Sequence, residues 1–204
     1  MKVEKKRKKT EHKLEEKLVF FATGNFNKFN ETRMILKEYG FASAMLNVKT
    51  VEIQNDSLAE IAKKSAVEAF RLCHLPLIVE DAGLFVQALK GFPGPYAAYV
   101  YKTISNPGML KLMKKVENRK ATFRSVIAYY DGKSEPVCFE GEVDGDIALG
   151  ERWGNGKAGF GFDPIFLPRG KSETFAEIAI EEKNTLSHRA KSVRRFSEWY
   201  QNLL

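Results

Sequence analysis

The chain has 204 residues, of which 44% are hydrophobic and 29% charged, and its formal net charge is +7. This length suits one domain with a buried core, and the sequence contains no run of about 18 uncharged apolar residues that would predict a membrane-spanning helix. Two cysteines and three histidines are too scattered for a disulfide framework or a zinc site, and the polar start of the chain is unlike a signal peptide. We therefore expect a cytoplasmic protein with no membrane partner.

Residues 1–17 form a strongly basic segment that contains eight Lys or Arg and four Glu, and so carries +4 of the net charge. With almost no apolar content it cannot bury enough surface to offset its ordering entropy, so we predict a frayed or disordered arm in front of one domain at 18–204. The arm is either a solubilising extension or a nucleic-acid contact. The remaining 25 basic and 22 acidic residues are nearly balanced, so nucleic acid is not the expected partner.

The next segments alternate between strand and helix patterns. Residues 18–22 are wholly apolar, which predicts a buried strand, and a helical pattern then runs from about Asn27 to Gly40. Ser57 and Glu60 have the spacing of a capping box at the start of a second helix, whose apolar positions include Cys73 as a core residue.

The rest of the chain predicts, in order, a strand over 75–79, a helix over 107–115, a hairpin of strands over 121–130 and about 137–143, and a final helix capped by Ser187. Strand and helix alternating before a hairpin is typical of an α/β fold with a mixed β-sheet flanked by helices.

The first candidate site is the loop that joins the first strand to the first helix, and it consists of Thr23, Gly24, Asn25, Phe26, Asn27 and Lys28. A loop that opens a helix offers backbone N–H groups and the positive end of the helix dipole to an anion, and Lys28 adds a full charge. The pattern fits either a phosphate site or an ordinary capped helix.

The second candidate site is a set of carboxylates, Glu52, Glu80 and Asp81. Acids directly after a buried strand must be solvated, paired or bound to a metal, and the carboxyl ends of strands are where α/β sheets bind ligands. Oxygen ligands without thiolates favour Mg²⁺, which holds phosphates. The alternative is a solvated strand end.

Two glycine-containing regions complete the candidates. The loop at 91–96 is either a cleft wall or a connection. Residues 159–164, together with 183–189, combine aromatic rings with Asp, Lys and Arg side chains, which suits the binding of a flat ring and its polar edge. A tight turn before a buried strand at 165–166 explains the first of these segments equally well, and His188 alone is more often structural.

Five motifs occur in a specific order: Thr-Gly-Asn-x-x-Lys at 23–28, Glu-Asp-Ala-Gly-Leu at 80–84, Gly-x-Pro-Gly-Pro-Tyr at 91–96, Gly-Phe-Gly-Phe-Asp-Pro at 159–164 and Lys-Asn-x-x-Ser-His-Arg at 183–189. From residue 18 to the C-terminus the chain resembles the inosine triphosphate pyrophosphatase family, which acts on non-standard purine nucleoside triphosphates, and several segments are most similar to archaeal members. The resemblance implies an elongated sheet in two lobes with a nucleotide-binding cleft between them, and a homodimer.

The resemblance also implies a reaction: ITP, dITP or XTP is hydrolysed between the α- and β-phosphates to a nucleoside monophosphate and pyrophosphate. Residues 23–28 match the triphosphate loop, Glu52 and Asp81 match the Mg²⁺ ligands, and Asp81 also matches the proposed general base. The position after Asp81 is usually Ser or Thr but is Ala82 here, so a contact through that hydroxyl is lost while a backbone contact to substrate can remain.

For the base, the resemblance assigns two groups of residues. The base-binding segment consists of Phe160, Gly161, Phe162 and Asp163, with Phe160 stacking on the purine, and the base edge is contacted by Lys183, His188 and Arg189. Cationic donors favour the 6-oxo group of hypoxanthine or xanthine over the amino group of adenine. The related Maf-type pyrophosphatases remain an alternative, although Asn25 and Lys28 differ from the serine and paired arginines of their first loop.

Overall fold

The computed structural model describes residues 17–50, 53–154 and 159–203. In this part of the chain the strands are β1 (Lys17–Ala22), β2 (Phe41–Leu46), β3 (Leu77–Val86), β4 (Pro93–Gly94), β5 (Lys120–Tyr130), β6 (Val137–Ile147) and β7 (Phe166–Pro168). The α-helices are α1 (Phe26–Glu38), α2 (Leu58–Cys73), α3 (Ala97–Thr103), α4 (Ser105–Leu112), α5 (Ile180–Leu186) and α6 (His188–Leu203). None of the helices in these residues is long and apolar enough to cross a membrane.

The strands form one mixed sheet in the order β2-β1-β3-β5-β6-β7, and the short β4 pairs with β3. β1 is parallel to both β2 and β3, whereas β3, β5, β6 and β7 pair antiparallel with one another. The sequence therefore predicted the fold class correctly as α/β with an elongated mixed sheet.

Helices cover both faces of the sheet at its parallel end. Alternate residues of a strand point to opposite faces, so Phe21 packs in the cluster with α1 and α6 while Ala22 packs in the cluster with α2. The chain thus passes from β1 to its neighbour β2 through α1 on one face. It then passes from β2 to β3, the neighbour on the other side of β1, through α2 on the opposite face. Ligands bind at such a switch point in α/β sheets, beyond the carboxyl ends of the strands.

A third apolar cluster lies at the other end of the same sheet. It combines Leu84 of β3 and Phe123 of β5 with Met109 of α4 and with Phe162 and Phe166. The core is therefore divided along the sheet into a parallel end and an antiparallel end, and β3 and β5 contribute to both.

Most local predictions are confirmed. The predicted strand at 18–22 is β1, the predicted helix from Asn27 is α1, and the hairpin at 131–132 joins β5 to β6. Ser187 caps α6, since its Oγ accepts a hydrogen bond from the Ala190 amide at 3.1 Å. The prediction of a disordered arm concerns mostly residues 1–16, which lie outside the described residues, and Lys17 already belongs to β1.

Besides the helix predicted over 107–115, which is α4 at Ser105–Leu112, two local predictions need correction. The capping box at α2 is only half formed: Ser57 Oγ accepts from the Glu60 amide, but the Ser57 amide donates to Asn55 Oδ1 at 2.8 Å rather than to the Glu60 carboxylate. The strand predicted over 75–79 begins at Leu77 and runs to Val86, because β5 pairs with it along its whole length. Glu80 and Asp81 are therefore inside a strand and not at its end.

Candidate active site

The loop between β1 and α1 is held by its own side chains. Thr23 Oγ1 accepts from the Asn25 amide at 3.1 Å, and Asn25 Oδ1 accepts from the amides of Asn27 and Lys28 at 3.0 and 3.2 Å. Asn25 is thus the N-cap of α1. Because Asn and Thr side chains form such local bonds readily, this loop geometry follows from the sequence itself. Gly24, Phe26 and Asn27 are exposed, so the loop faces solvent.

Lys28 connects this loop to β3. Its Nζ lies 2.9 Å from Glu80 Oε2 and donates to the Glu80 carbonyl oxygen at 3.3 Å. The Glu80 side chain is fully buried, whereas the Lys28 side chain is 20% exposed. The ammonium group is therefore fixed from behind by a buried carboxylate while part of the side chain still reaches solvent beside the loop.

Lys28 is the first member of a row of six side chains with alternating charge, which we call the buried charge chain: Lys28, Glu80, Arg189, Glu31, Lys183 and Asp163. Arg189 Nε donates to Glu80 Oε1 at 3.1 Å, and Arg189 Nη1 donates to Glu31 Oε2 at 2.5 Å. Lys183 Nζ then lies 2.7 Å from Glu31 Oε1 and 2.6 Å from Asp163 Oδ2. Three acids and three bases compensate one another, as buried charges require.

The far end of the buried charge chain supports Phe160. Asp163 Oδ2 accepts from the Phe160 amide at 2.8 Å. Lys183 Nζ and Arg189 Cζ lie 5.1 and 5.4 Å from the centre of the Phe160 ring, within the range of cation–π attraction. Gly159, just before the ring, has φ +91°, and a Cβ there would be 3.1 Å from Ala176 Cα, so this turn requires glycine.

Burial and neighbouring charges shift the pKa of the acids in opposite directions. Burial alone would raise the pKa of Glu80, but Arg189 and Lys28 hold it far below its ordinary value of 4.5. At Glu31, burial also raises the pKa, but the charges of Arg189 and Lys183 lower it by more, so the pKa is below its ordinary value. At Asp163, burial outweighs the attraction of Lys183, and the pKa is raised above 3.8.

Asp81 occupies the opposite face of β3 from Glu80. It is half-buried and is paired with Val126 in the register of β3 and β5. In the sequence it directly follows Glu80, which contacts Lys28. Ala82 follows it and pairs with Ser125. The predicted partner Glu52 lies outside the described residues. Within those residues, no group of three or more His, Cys, Asp or Glu side chains could hold a metal ion.

Glu80 has a different role from the one that the carboxylate set suggested. Lys28, Arg189 and Ser125 all contact its carboxylate, and Ser125 Oγ donates to Oε1 at 2.7 Å. A carboxylate held in this way anchors cations, so of the alternatives solvated, paired or metal-bound, the paired one describes Glu80. The assignment of Asp81 as a metal ligand stays a prediction.

His188 is packed as a core residue. Its ring stacks on Phe123 with centroids 4.6 Å apart and an angle of 8°, and its Nδ1 is buried without a hydrogen-bond partner among the described residues. Burial and the charge of Arg189 lower the pKa of His188 well below 6.5, so the ring is neutral. Its contact with a base edge stays a prediction.

Glu31 and Ser125 are site residues that the sequence patterns did not indicate. Glu31 is three residues after Lys28 on α1, and the other buried residues of this helix are Phe29, Thr32, Ile35 and Leu36, none of them charged. An acidic residue on the predicted buried face of a helix is unusual, and this could have identified Glu31 from the sequence. Ser125 gave no signal, because a serine in a strand is ordinary.

Comparisons with known proteins show the family of the chain. A model of the Ham1 family matches residues 19–199. The chain belongs to the Ham1 family. Two relatives called dITP/XTP pyrophosphatase are similar to it: one from Methanopyrus kandleri is 50% identical over 90% of this chain and 96% of its own, and one from Thermococcus kodakarensis is 49% identical over 88% and 95%.

Solved structures of Ham1 proteins have the same fold. The Ham1 protein of Staphylococcus aureus is 27% identical with a TM-score of 0.78, and the match covers 92% of this chain and all of the other. A HAM1 protein from Coxiella burnetii is 26% identical with a TM-score of 0.79, covering 91% and 99%. The family resemblance inferred from five short motifs is therefore confirmed over residues 19–199.

Proposed function

We propose that the chain hydrolyses non-standard purine nucleoside triphosphates, ITP, dITP and XTP, to the nucleoside monophosphate and pyrophosphate. The observation that carries this proposal is the buried charge chain: one end fixes Lys28 beside the β1–α1 loop, and the other end fixes Phe160. A cation for phosphates and an aromatic face for a base are thus supported by one rigid row. The names of the archaeal relatives support the same activity.

Lys28 and the loop at 23–28 form the phosphate end. A triphosphate carries about four negative charges, and the Lys28 ammonium group lies at the start of α1, where the helix dipole also favours anions. Asp81, next to the strand residue that holds Lys28, accepts a proton from the water that attacks the α-phosphorus. The P–O bond to the β-phosphate breaks, and the pyrophosphate leaves with its charge stabilised by Lys28.

Mg²⁺ is the cofactor that fits this donor set. Mg²⁺ prefers oxygen ligands and is commonly held by one or two protein carboxylates together with substrate phosphates, so it does not need a cluster of three acids. Asp81 supplies one such carboxylate, and Glu52 is the proposed second. When bound, the ion offsets phosphate charge.

Phe160 and its supporting cations form the base end. The ring offers one face for stacking on a purine, and Asp163 fixes the backbone behind it. Lys183 and Arg189 direct two donors each to carboxylates, so their proposed contact with the 6-oxo group uses their remaining N–H groups. Gly161 and Phe162 complete the segment, and Phe162 itself is buried in the core.

The family resemblance extends the proposal to a cytoplasmic homodimer acting on the nucleotide pool. Sedimentation velocity of the full chain measures the oligomeric state directly. A monomer at enzyme-assay concentrations would contradict the homodimer and leave the proposed chemistry intact.

Pyrophosphate release from ITP, dITP, XTP, ATP and GTP, with Mg²⁺ and with a chelator, tests the proposed function. We expect turnover of the first three, little turnover of ATP and GTP, and loss of activity with the chelator. Asp81→Asn should abolish turnover, while Asp146→Asn, an exposed position on β6, should leave it unchanged. Equal rates on ITP and ATP would contradict the substrate class, and an active Asp81→Asn variant would contradict the base.

A further inference from the structure

Ser125 is a buried hydroxyl at the centre of the charge network. It lies on β5 with no exposed surface, and its Oγ donates to Glu80 Oε1 at 2.7 Å. The same oxygen of Glu80 receives Arg189 Nε at 3.1 Å, and the other oxygen faces Lys28. Three donors from three different elements therefore meet on one carboxylate.

Ser125 differs from the other two donors because it belongs to the sheet. β3 and β5 are joined by ten consecutive register pairs, in which Ser125 is directly opposite Ala82, and the side chains of Glu80, Ala82 and Ser125 lie on one face. Lys28 and Arg189 reach Glu80 from helices on flexible side chains. The serine, with a single short χ1 rotor on a paired strand, is the donor whose position is fixed by the backbone.

A second serine, Ser192 of α6, lies beside Ser125, with the two Oγ atoms 3.0 Å apart. Ser192 Oγ donates to the Arg189 carbonyl oxygen at 3.0 Å, whereas Ser125 Oγ donates to Glu80 Oε1. Each hydroxyl has a single proton, so Ser125 is the serine whose proton goes to Glu80. Ala82, directly opposite Ser125, carries only a methyl group, and the hydroxyl that contacts Glu80 comes from β5.

We propose that Ser125 is a positioning residue for phosphate binding, acting through Glu80 on Lys28. The hydroxyl stops the Glu80 carboxylate from rotating, and the fixed carboxylate holds the Lys28 ammonium group at the edge of the loop. This inference rests on the proposed function, since Lys28 is the proposed phosphate ligand. Asp81 lies on the opposite face of β3, so the proton transfer does not depend on Ser125.

Ser125→Ala should therefore raise the KM for dITP about tenfold, which corresponds to one hydrogen bond to a charged group. The fall in kcat should be smaller than the rise in KM, because Lys28 also stabilises the leaving pyrophosphate while Asp81 is unaffected. Calorimetric affinity for inorganic pyrophosphate, which needs no turnover, should fall by a similar factor. Ser125→Thr restores a hydroxyl on a β-branched side chain that suits a strand and should recover most of the affinity. Ser197→Ala is the matched control, because Ser197 is equally buried but donates only to the Val193 carbonyl within α6.

An unchanged KM and pyrophosphate affinity in Ser125→Ala would overturn the positioning role, as would a loss confined to kcat or an equal loss in Ser197→Ala. If Ser125→Thr is destabilised, the comparison of Ser125→Ala with Ser197→Ala decides the positioning role by itself. A wild-type chain that binds pyrophosphate but releases none from any nucleotide would refute the proposed function, and the effect of Ser125→Ala on pyrophosphate affinity would still decide the present inference.

Discussion

Glu31 and Arg189 are 158 residues apart in the chain, yet Arg189 Nη1 donates to Glu31 Oε2 at 2.5 Å in a fully buried contact. Through this pair α1 is bound to α6, and the β1–α1 loop at the start of α1 is connected to the residues that support Phe160. The contact lies at the middle of the buried charge chain. Its removal should therefore affect both ends of the proposed site.

Glu31→Gln should lower the free energy of unfolding by about 3–5 kcal/mol, because a neutral amide leaves Arg189 and Lys183 as buried cations with one carboxylate fewer between them. Urea unfolding measures the loss. Glu38→Gln is the matched control, since Glu38 pairs with Arg194 at an exposed site on the same helix and should cost less than about 1 kcal/mol. Equal losses in the two variants would show that the buried ion pair stabilises the fold no more than the exposed pair does.

Phe160→Ala should lower kcat/KM for dITP about tenfold to hundredfold, because base–aromatic stacking contributes about 1–3 kcal/mol. The loss should be absent from the affinity for pyrophosphate, which has no base. Tyr99→Ala, which removes a highly exposed ring on α3, should leave both values unchanged. A parallel loss of pyrophosphate affinity in Phe160→Ala would place the ring at the phosphate end instead.

His188 should make the stability of the chain depend on pH below neutrality. Its pKa in the folded state is well below 6.5, so the unfolded chain binds a proton that the folded chain does not as the pH falls through about 6.5. Stability is then lost on acidification from about pH 7 to about pH 5. In His188→Phe, which keeps a ring to stack on Phe123, this loss should be smaller, and thermal unfolding at both pH values measures it.

The exposed His74 provides the control for that prediction. It occupies a left-handed position at the end of α2, which asparagine tolerates, so His74→Asn should retain the pH dependence of the wild type. The same slope in His188→Phe and in the wild type would mean that the buried ring is not the source of the acid sensitivity.

Gly141→Ala should lower the free energy of unfolding by about 3 kcal/mol, because α6 packs directly on the backbone of β6 at this point. A Cβ on Gly141 would overlap the carbonyl oxygen of His188 and the amide nitrogen of Ser192. Gly150→Ala is the control: its Cβ would have no neighbour within 4 Å, and we expect a change within about 0.5 kcal/mol. A tolerated Gly141→Ala would show that α6 can shift away from the sheet.

The parts of the site that were predictable from sequence are the parts with local causes. The Asn25 cap and the Ser187 cap depend on bonds two or three residues long, and the run at 18–22 depends only on its own apolar side chains. Such signals survive in a single sequence because no distant partner is needed to interpret them.

The roles of Glu80 and Glu31 could not be predicted in the same way. A carboxylate pattern looks the same whether its partner is a metal or a lysine, and here the partners come from helices up to 158 residues away. The extension of β3 to Val86 has a similar origin, since it depends on pairing with β5 and not on the composition of residues 80–84. Tertiary contacts therefore decided what local patterns left open.

The strands that run through both ends of the core have a mechanical consequence. β3 and β5 remain paired from Leu77 to Val86 without interruption, so the half with the β1–α1 loop and the half that packs Phe162 share one continuous ladder of hydrogen bonds. A sheet of this kind is twisted but continuous. We therefore expect the distance between Lys28 and Phe160 to stay constant, so that the site binds substrates whose base and phosphates are separated by a matching length.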